Sequence, residues 1–167
     1  MYTIDKVVDG LFIGNETVSR ELEVLRRHKI THILAAGFGL KRHFPENFAY
    51  KQLDMIDTPS YEIQHHFAEC NSFIDSAISH RGSVLVHCFQ GISRSTTIVC
   101  AYLMHKQNLT ASQALKFVKE RHFDADPNYG FVYQLNQYEA VLKSGILLLS
   151  APQVEPEDKV YCKCVLF

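Results

Sequence analysis

The chain has 167 residues, of which 47% are hydrophobic and 21% are charged, and its formal net charge is −1. This length and composition favour one compact domain with a sizeable core over two domains. Because the charge is nearly balanced and no long lysine or arginine run occurs, a general nucleic-acid surface is excluded and any anion site must be local.

The amino terminus and the cysteine content favour a cytoplasmic protein. The stretch MYTIDKVVDG lacks the basic flank and apolar core of a signal peptide, and no apolar run is long enough to span a membrane. The five cysteines are odd in number and irregularly spaced, which favours free thiols over a disulfide framework. They are Cys70, Cys88, Cys100, Cys162 and Cys164.

Short apolar runs and helical repeats alternate along the chain. Runs at residues 11–13, 31–35, 50–55 and 84–86 predict strands. Apolar side chains spaced by three and four residues predict helices in three segments. These stripes are Val18, Leu22 and Leu25, then Ile63, Phe67, Cys70, Ile74 and Ala77, and then Phe131, Leu135, Tyr138 and Leu142. Such alternation predicts an α/β fold with helices on both faces of a sheet.

Polar residues predict where two helices begin. Thr110, with Gln113 three residues later, forms a capping-box pattern ahead of Leu115 and Val118. Asn15 is expected to cap the first helix. We expect one folded domain over residues 1–146 and a tail over residues 147–167, where the composition turns rich in proline and acidic residues.

The stretch SVLVHCFQGISRSTTI, residues 83–98, carries the clearest chemical signal. An apolar strand ends in His87 and Cys88, a loop with Gly91 follows, and Arg94 and Ser95 open a predicted helix. The backbone N–H groups of such a loop can converge on an anion, with the helix dipole behind them. The expected phosphate-binding residues are Phe89, Gln90, Gly91, Ile92, Ser93 and Arg94.

These residue types suit nucleophilic catalysis at a phosphate. Arg94 supplies a planar, permanently charged fork for two phosphoryl oxygens. The same positive surroundings favour the thiolate of Cys88, and Ser95 is placed to donate a hydrogen bond to the sulfur. Cys88 is therefore predicted to attack phosphorus, whereas Cys70 and Cys100 lie on apolar helical spacings and are predicted to pack in the core.

The stretch VHCFQGISRSTTIVCAYLM resembles the phosphate loop and following helix of the cysteine-based protein tyrosine phosphatases, and within them the small atypical dual-specificity phosphatases. The resemblance extends through GLFIGN, THIL, HFAECNSFID and PNYGF and covers most of the chain. It implies a catalytic domain with a mixed central β-sheet flanked by α-helices on both faces. It also implies a cysteinyl-phosphate intermediate, hydrolysis without metal or cofactor, and phosphotyrosine, phosphoserine and phosphothreonine in phosphoprotein substrates.

The family takes its general acid from an aspartate ahead of the nucleophile. The stretch LDMIDTPS offers two aspartates, Asp54 inside the predicted strand and Asp57 at the start of a Thr-Pro-Ser loop. Asp57 matches the family position, so we expect it to be catalytic together with Cys88, Arg94 and Ser95.

The resemblance gives two further residues supporting roles. His87 lies beside the nucleophile and is expected to orient the loop by hydrogen bonding, not to act as a base. Asn128 matches a family loop position near the site. The pair His65 and His66 lies on a predicted helix and is interpreted as surface residues, not as metal ligands.

Two alternative functions stay open at this point. Related phosphatases that act on phosphoinositides or RNA 5′-triphosphates often carry lysines in the phosphate loop, whereas Phe89, Gln90 and Ile92 are uncharged here. That favours a phosphoprotein but leaves a monophosphorylated lipid or carbohydrate open. A non-catalytic phosphopeptide-binding module is the other alternative, and the retained Cys88 and Arg94 argue against it.

The last four residues, CVLF, match a C-a-a-X prenylation pattern. Phe167 favours geranylgeranyl attachment to Cys164, and Cys162 offers a position for a second lipid. The acidic residues just upstream are a poor polybasic partner for a membrane. The expected location is the cytoplasm, with membrane contact through a prenylated carboxyl terminus; an unmodified tail is the alternative.

Mass spectrometry of the protein isolated from its own cells tests this lipidation. We expect a geranylgeranyl thioether on Cys164 and loss of the last three residues, because processing of the motif removes them. Cys164→Ser is the matched control and is expected to leave the membrane fraction. An unmodified Cys164 with Phe167 still in place would contradict the prediction.

Overall fold

A five-stranded sheet forms the centre of the computed structural model, which describes residues 1–145. The strands are β1 (Ile4–Val8), β2 (Leu11–Asn15), β3 (His32–Ala36), β4 (Ala49–Leu53) and β5 (Val84–Cys88). The α-helices are α1 (Leu22–Arg27), α2 (Phe67–Ser79), α3 (Arg94–Gln107), α4 (Ala111–Lys119) and α5 (Tyr129–Ser144). Short 3₁₀ turns precede α1 at Val18–Arg20 and α2 at Ile63–His66.

The sheet is mixed, with β5 at its centre. The strand order is β1-β2-β5-β3-β4, in which β1 runs antiparallel to β2 and the other neighbours are parallel. Cys88 is therefore the last residue of the central strand, at the carboxyl edge where parallel α/β sheets bind ligands.

Helices cover both faces of the sheet, as side-chain alternation along β5 shows. Leu85 packs with Phe12 and Ile33 on the face that carries α1. Val84 and Val86 belong to the larger cluster, which α2, α3, α4 and α5 complete. The predicted fold class, a mixed sheet flanked by helices on both faces, is confirmed.

Helix α3 is the central helix of the larger face. It is buried from Arg94 to Met104 and packs against β5 and three other helices. A helix surrounded on all sides has no polar face, so its sequence shows no amphipathic stripe. Its amino terminus lies directly after the loop that follows Cys88.

One of the two predicted helix caps is confirmed. Thr110 and Gln113 exchange both bonds of a capping box at the start of α4. Asn15 is not the cap of α1, which begins after Glu21; its side chain instead accepts the N–H of Val18 at 3.1 Å, in the 3₁₀ turn that precedes α1. Asn128 caps α5 by accepting the N–H of Phe131 at 3.0 Å.

The structure corrects three details of the predicted elements. Strand β1 was not predicted, because its residues alternate weakly along an edge. The predicted helix through Val18 and Leu25 is broken at Glu21 into the 3₁₀ turn and α1. The strand predicted to reach Met55 ends at Leu53, because loop groups instead bond to the carbonyls of Asp54 and Met55.

No helix within residues 1–145 is both long and apolar enough to cross a membrane. The lipidation predicted at Cys162 and Cys164 concerns residues outside the described part of the chain.

Candidate active site

The loop Phe89–Ser93 joins the end of β5 to the start of α3 in a very tight path. Gly91 has φ +77°, a conformation that side chains disfavour. A Cβ atom at Gly91 would also lie 2.9 Å from the carbonyl oxygen of Gly14 on β2. The loop therefore rests directly on the neighbouring strand, and only glycine fits at this position.

The Cys88 sulfur is held inside this loop by two polar groups. Its side chain is 1% exposed. The hydroxyl of Ser95 lies 3.3 Å from Sγ, and the backbone N–H of Gly91 donates to Sγ at 3.2 Å. The sulfur thus has one backbone donor aimed at it and one hydroxyl beside it.

Three carbonyl groups of the loop are bonded to partners outside it. The carbonyl of Phe89 accepts the N–H of Glu16 at 3.0 Å, and that of Ile92 accepts the N–H of Asp126 at 3.0 Å. The carbonyl of Gly91 faces a ring nitrogen of His122 at 2.7 Å. With carbonyls turned outward, loop N–H groups are left to bind an anion.

The Arg94 guanidinium lies between the loop and the segment that follows β4. Its Nη1 donates to the Met55 carbonyl at 3.0 Å, and its Nε lies 3.4 Å from Oδ2 of Asp57. The Phe89 ring is 5.5 Å from the guanidinium carbon. A Cβ at Gly37 would come within 3.1 Å of Nη1, so the backbone there leaves room for the cation.

Asp57 is fixed by two donors from different elements. The hydroxyl of Ser93 donates to Oδ1 at 2.8 Å, and the side-chain amide of Asn128 donates to the same oxygen at 2.9 Å. The backbone N–H of Asn128 in turn donates to the Ser93 hydroxyl at 3.1 Å. The carboxylate is thereby tied to the phosphate-binding loop and to the start of α5.

Helix α5 also holds the backbone of the loop that carries Asp57. A Cβ at Gly130 would lie 2.0 Å from the carbonyl oxygen of Pro59, so the two backbones touch. Gln134 donates to the Tyr61 carbonyl at 2.8 Å and accepts the N–H of Gln64 at 3.1 Å. These contacts fix the position from which Asp57 faces Arg94.

The opening above Arg94 and Asp57 is apolar. A cavity of about 450 Å³ is lined by both residues and by Phe38, Met55, Ile56 and Phe89. The Phe38 side chain is 70% exposed, and Ile56 and Phe89 are also exposed. The opening therefore offers apolar contact beside a buried cation and a carboxylate.

The other two described cysteines are Cys70 on α2 and Cys100 on α3. Cys70 and Cys100 are buried in the core, and burial raises the pKa of each thiol to about 12. Both are therefore neutral thiols at physiological pH, in agreement with their prediction as core residues.

His87 is a neutral histidine behind the nucleophile. Burial lowers the pKa of its ring to about 4. Its Nδ1 lies 3.3 Å from the Cys88 carbonyl, and its Nε2 is buried without a hydrogen-bond partner. Because the ring is neutral and its Nδ1–H donates to the Cys88 carbonyl, it suits an orienting role and not acid catalysis.

The structure brings the predicted catalytic residues together at one end of β5. Cys88 and Ser95 touch each other, and Arg94 and Asp57 form an ion pair beside them. Asn128, predicted as supporting, contacts Asp57 directly. His66 bonds to Glu69, away from the site.

Two residues that touch this site were not predicted. Gln134 holds the Asp57 loop, and His122 contacts the phosphate-binding loop. Gln134 is a polar residue on a predicted helix and His122 lies in a loop, so neither position carries a local signal.

Comparisons with known proteins agree with this geometry. Residues 11–141 match the family described as "Dual specificity phosphatase, catalytic domain". The dual specificity protein phosphatase 1B of Arabidopsis thaliana is 42% identical over 136 residues, covering 81% of this chain and 81% of that protein. Mouse dual specificity protein phosphatase 19 is 40% identical over 129 residues, covering 77% of this chain and 59% of that protein.

A solved structure has a similar fold. The human tyrosine phosphatase-like serine/threonine/tyrosine-interacting protein superposes with a TM-score of 0.81 at 37% sequence identity. The superposition covers 83% of this chain and 96% of that chain.

The buried neutral ring of His87 predicts an acid-sensitive stability. Because its pKa is about 4 when folded and about 6.5 when unfolded, the unfolded state binds the proton first as pH falls. The stability that the neutral ring contributes is complete above pH 6.5 and is lost towards pH 4. Between pH 7 and pH 5 the free energy of unfolding is expected to fall by about 2 kcal/mol through this group.

Urea unfolding at pH 7 and pH 5 measures the effect. His87→Gln is expected to lose about 2 kcal/mol less than wild type between the two pH values. His80→Gln, at an exposed histidine, is the control and should behave as wild type. An identical pH dependence for His87→Gln and wild type would contradict a buried neutral ring.

Proposed function

The chain belongs to the dual-specificity phosphatase catalytic-domain family, and on this basis we propose that Cys88 is its nucleophile. As a member it is a protein phosphatase that hydrolyses phosphotyrosine and phosphoserine or phosphothreonine through a cysteinyl-phosphate intermediate. The observation that carries the assignment is the Cys88 sulfur, which is bonded to Ser95 and to the Gly91 N–H at the end of the central strand.

In the first step the Cys88 thiolate attacks phosphorus, and the bond from phosphorus to the substrate oxygen breaks. Arg94 and the loop N–H groups of residues 89–93 hold the three other phosphoryl oxygens, because they offer a cation and converging donors. Asp57, which reacts in its protonated form after taking up a proton from solvent, gives this proton to the departing oxygen, which otherwise leaves as a strongly basic alkoxide. The products are the free hydroxyl of the substrate and a cysteinyl phosphate.

In the second step water attacks the cysteinyl phosphate. Asp57, now a carboxylate, takes a proton from the water, and the bond from sulfur to phosphorus breaks. The hydroxyl of Ser95 lies 3.3 Å from the sulfur, so it stabilises the thiolate as it leaves. Inorganic phosphate departs, and the enzyme returns to its starting state.

The chemistry of the opening favours phosphoproteins over polyanionic phosphoesters. Phe38, Ile56 and Phe89 surround the entrance with apolar surface and no lysine. A phosphoinositide or a nucleoside triphosphate carries further negative charges that this rim does not neutralise. A phosphotyrosine ring, in contrast, packs well against two aromatic side chains.

A binding role without turnover is the second candidate function. Its support is that the human relative of known structure is described as phosphatase-like and as an interacting protein. The present chain keeps Cys88 and Arg94 with the bonds described above, and these favour catalysis.

The proposed location is the cytoplasm, with membrane contact through a lipid at Cys164. Its support is the sequence pattern alone, because Cys164 lies outside the described residues.

A peptide that carries phosphothreonine and phosphotyrosine tests the function directly. At about pH 6 without added metal, wild type is expected to release phosphate from both positions, faster from phosphotyrosine because its ring reaches the apolar rim. Cys88→Ser should release none, because its hydroxyl is a far poorer nucleophile. If wild type binds the peptide but releases phosphate from neither position, the result favours the binding role.

The role of Asp57 is tested by varying the leaving group. Asp57→Asn is expected to lower phosphothreonine hydrolysis by about 100-fold or more, because an alkoxide needs its proton in the transition state. Hydrolysis of nitrophenyl phosphate should fall by less than about 10-fold, since nitrophenolate leaves without a proton. Asp54→Asn, three residues upstream, is the matched control. Equal losses on both substrates would rule out general-acid catalysis by Asp57.

A further inference from the structure

His122 is a buried histidine that joins the edge of the sheet to the phosphate-binding loop. It follows α4, and its side chain is 1% exposed. Its Nδ1 lies 2.7 Å from Oδ2 of Asp5 on β1, and its Nε2 lies 2.7 Å from the carbonyl oxygen of Gly91. One ring thus spans two elements that are distant in the sequence.

Both partners of the His122 ring are acceptors. A carboxylate oxygen and a backbone carbonyl oxygen have no hydrogen to give, so each 2.7 Å contact requires a hydrogen on the ring nitrogen. A neutral imidazole carries only one such hydrogen. The two contacts together therefore require the doubly protonated ring, whose positive charge faces the Asp5 carboxylate.

The carbonyl that His122 contacts belongs to the peptide bond between Gly91 and Ile92. Because a trans peptide is planar, its C=O and N–H point in opposite directions. A carbonyl fixed towards His122 consequently directs the N–H of Ile92 away from His122. The preceding N–H, that of Gly91, donates to the Cys88 sulfur.

Backbone N–H groups fix two other carbonyls of the loop, but none of them fixes the Gly91 carbonyl. The carbonyls of Phe89 and Ile92 are held by the N–H groups of Glu16 and Asp126. At Gly91 the donor is a charged side chain instead. Because a side chain makes the bond to the Gly91 carbonyl, one substitution at His122 removes it and alters a single peptide of the loop.

We propose that His122, held in its charged form by Asp5, is a positioning residue that orients the Gly91–Ile92 peptide so that its N–H binds the phosphoryl group. The inference rests on the proposed role of residues 89–93 in holding phosphoryl oxygens. Since both bonds of the ring are charge-assisted, they fix the peptide more firmly than a neutral contact would. His122 touches no reacting atom and acts only through the loop.

Nuclear magnetic resonance of the His122 ring tests the first part. Long-range correlations from the ring carbon-bound hydrogens to nitrogen, assigned by comparison with His122→Phe, report the protonation of Nδ1 and Nε2 separately. In wild type both nitrogens are expected to carry a hydrogen, because each one faces an acceptor at 2.7 Å. A wild-type ring with one protonated nitrogen would overturn the proposal.

Oxyanion affinity and kinetics test the second part. His122→Phe keeps a ring but neither bond, so we expect inorganic tungstate to bind at least 10-fold more weakly and kcat/KM on a phosphotyrosine peptide to fall at least 10-fold. Asp5→Asn keeps an acceptor for Nδ1–H without the charge, so intermediate losses are expected. His28→Phe, at a partly buried histidine that contacts the Val24 carbonyl, and Asp9→Asn, at an exposed aspartate near β1, are the matched controls.

The outcomes separate positioning from simple packing. A folded His122→Phe that loses thermal stability but keeps wild-type tungstate affinity and kcat/KM would overturn the proposal. If His122→Phe does not fold, Asp5→Asn decides, and unchanged tungstate affinity in that variant counts against it. If wild type binds tungstate but hydrolyses no phosphopeptide, the proposed catalytic function fails, whereas the ring spectra and the tungstate affinities still decide the role of His122.

Discussion

The site depends on a loop of backbone whose carbonyls are bonded away from its centre. Five residues between Cys88 and Arg94 turn from a buried strand into a buried helix, and the N–H of one of them, Gly91, donates to the Cys88 sulfur. The close approach of Gly91 to Gly14 makes this path possible, and bonds to surrounding segments keep it in place. The sulfur, the guanidinium and the loop backbone are thereby held together after the end of β5.

The loop that carries Asp57, the proposed general acid, is coupled to the same framework through α5. Asn128 caps this helix and donates to Asp57, and the Ser93 hydroxyl bonds to both residues. Further along, Gly130 and Gln134 support the loop backbone. The start of α5 thus fixes the Asp57 carboxylate relative to the loop Phe89–Ser93. The apolar entrance is lined by residues of the Asp57 loop and by Phe89 and Arg94.

The local parts of this architecture were readable from the sequence, and the long-range parts were not. The capping box at Thr110, the strand that ends at Cys88 and the choice of Asp57 over Asp54 depend on neighbouring residues, so patterns reveal them. The bonds of Gln134 and His122 depend on partners that are remote in sequence: Tyr61 is 73 positions from Gln134, and Asp5 is 117 positions from His122. Such pairings leave no periodicity, and tertiary contact alone creates them.

Helix α3 gives the site one further property. The helix is buried from Arg94 to Met104, and its first turn closes the phosphate-binding loop. Opening this first turn therefore means exposing the centre of the core, so the amides of α3 belong to one cooperative unit of hydrogen exchange. Solvent reaches the exposed Phe89 in the folded state, but it gains access to the buried amides of α3 only when the domain unfolds.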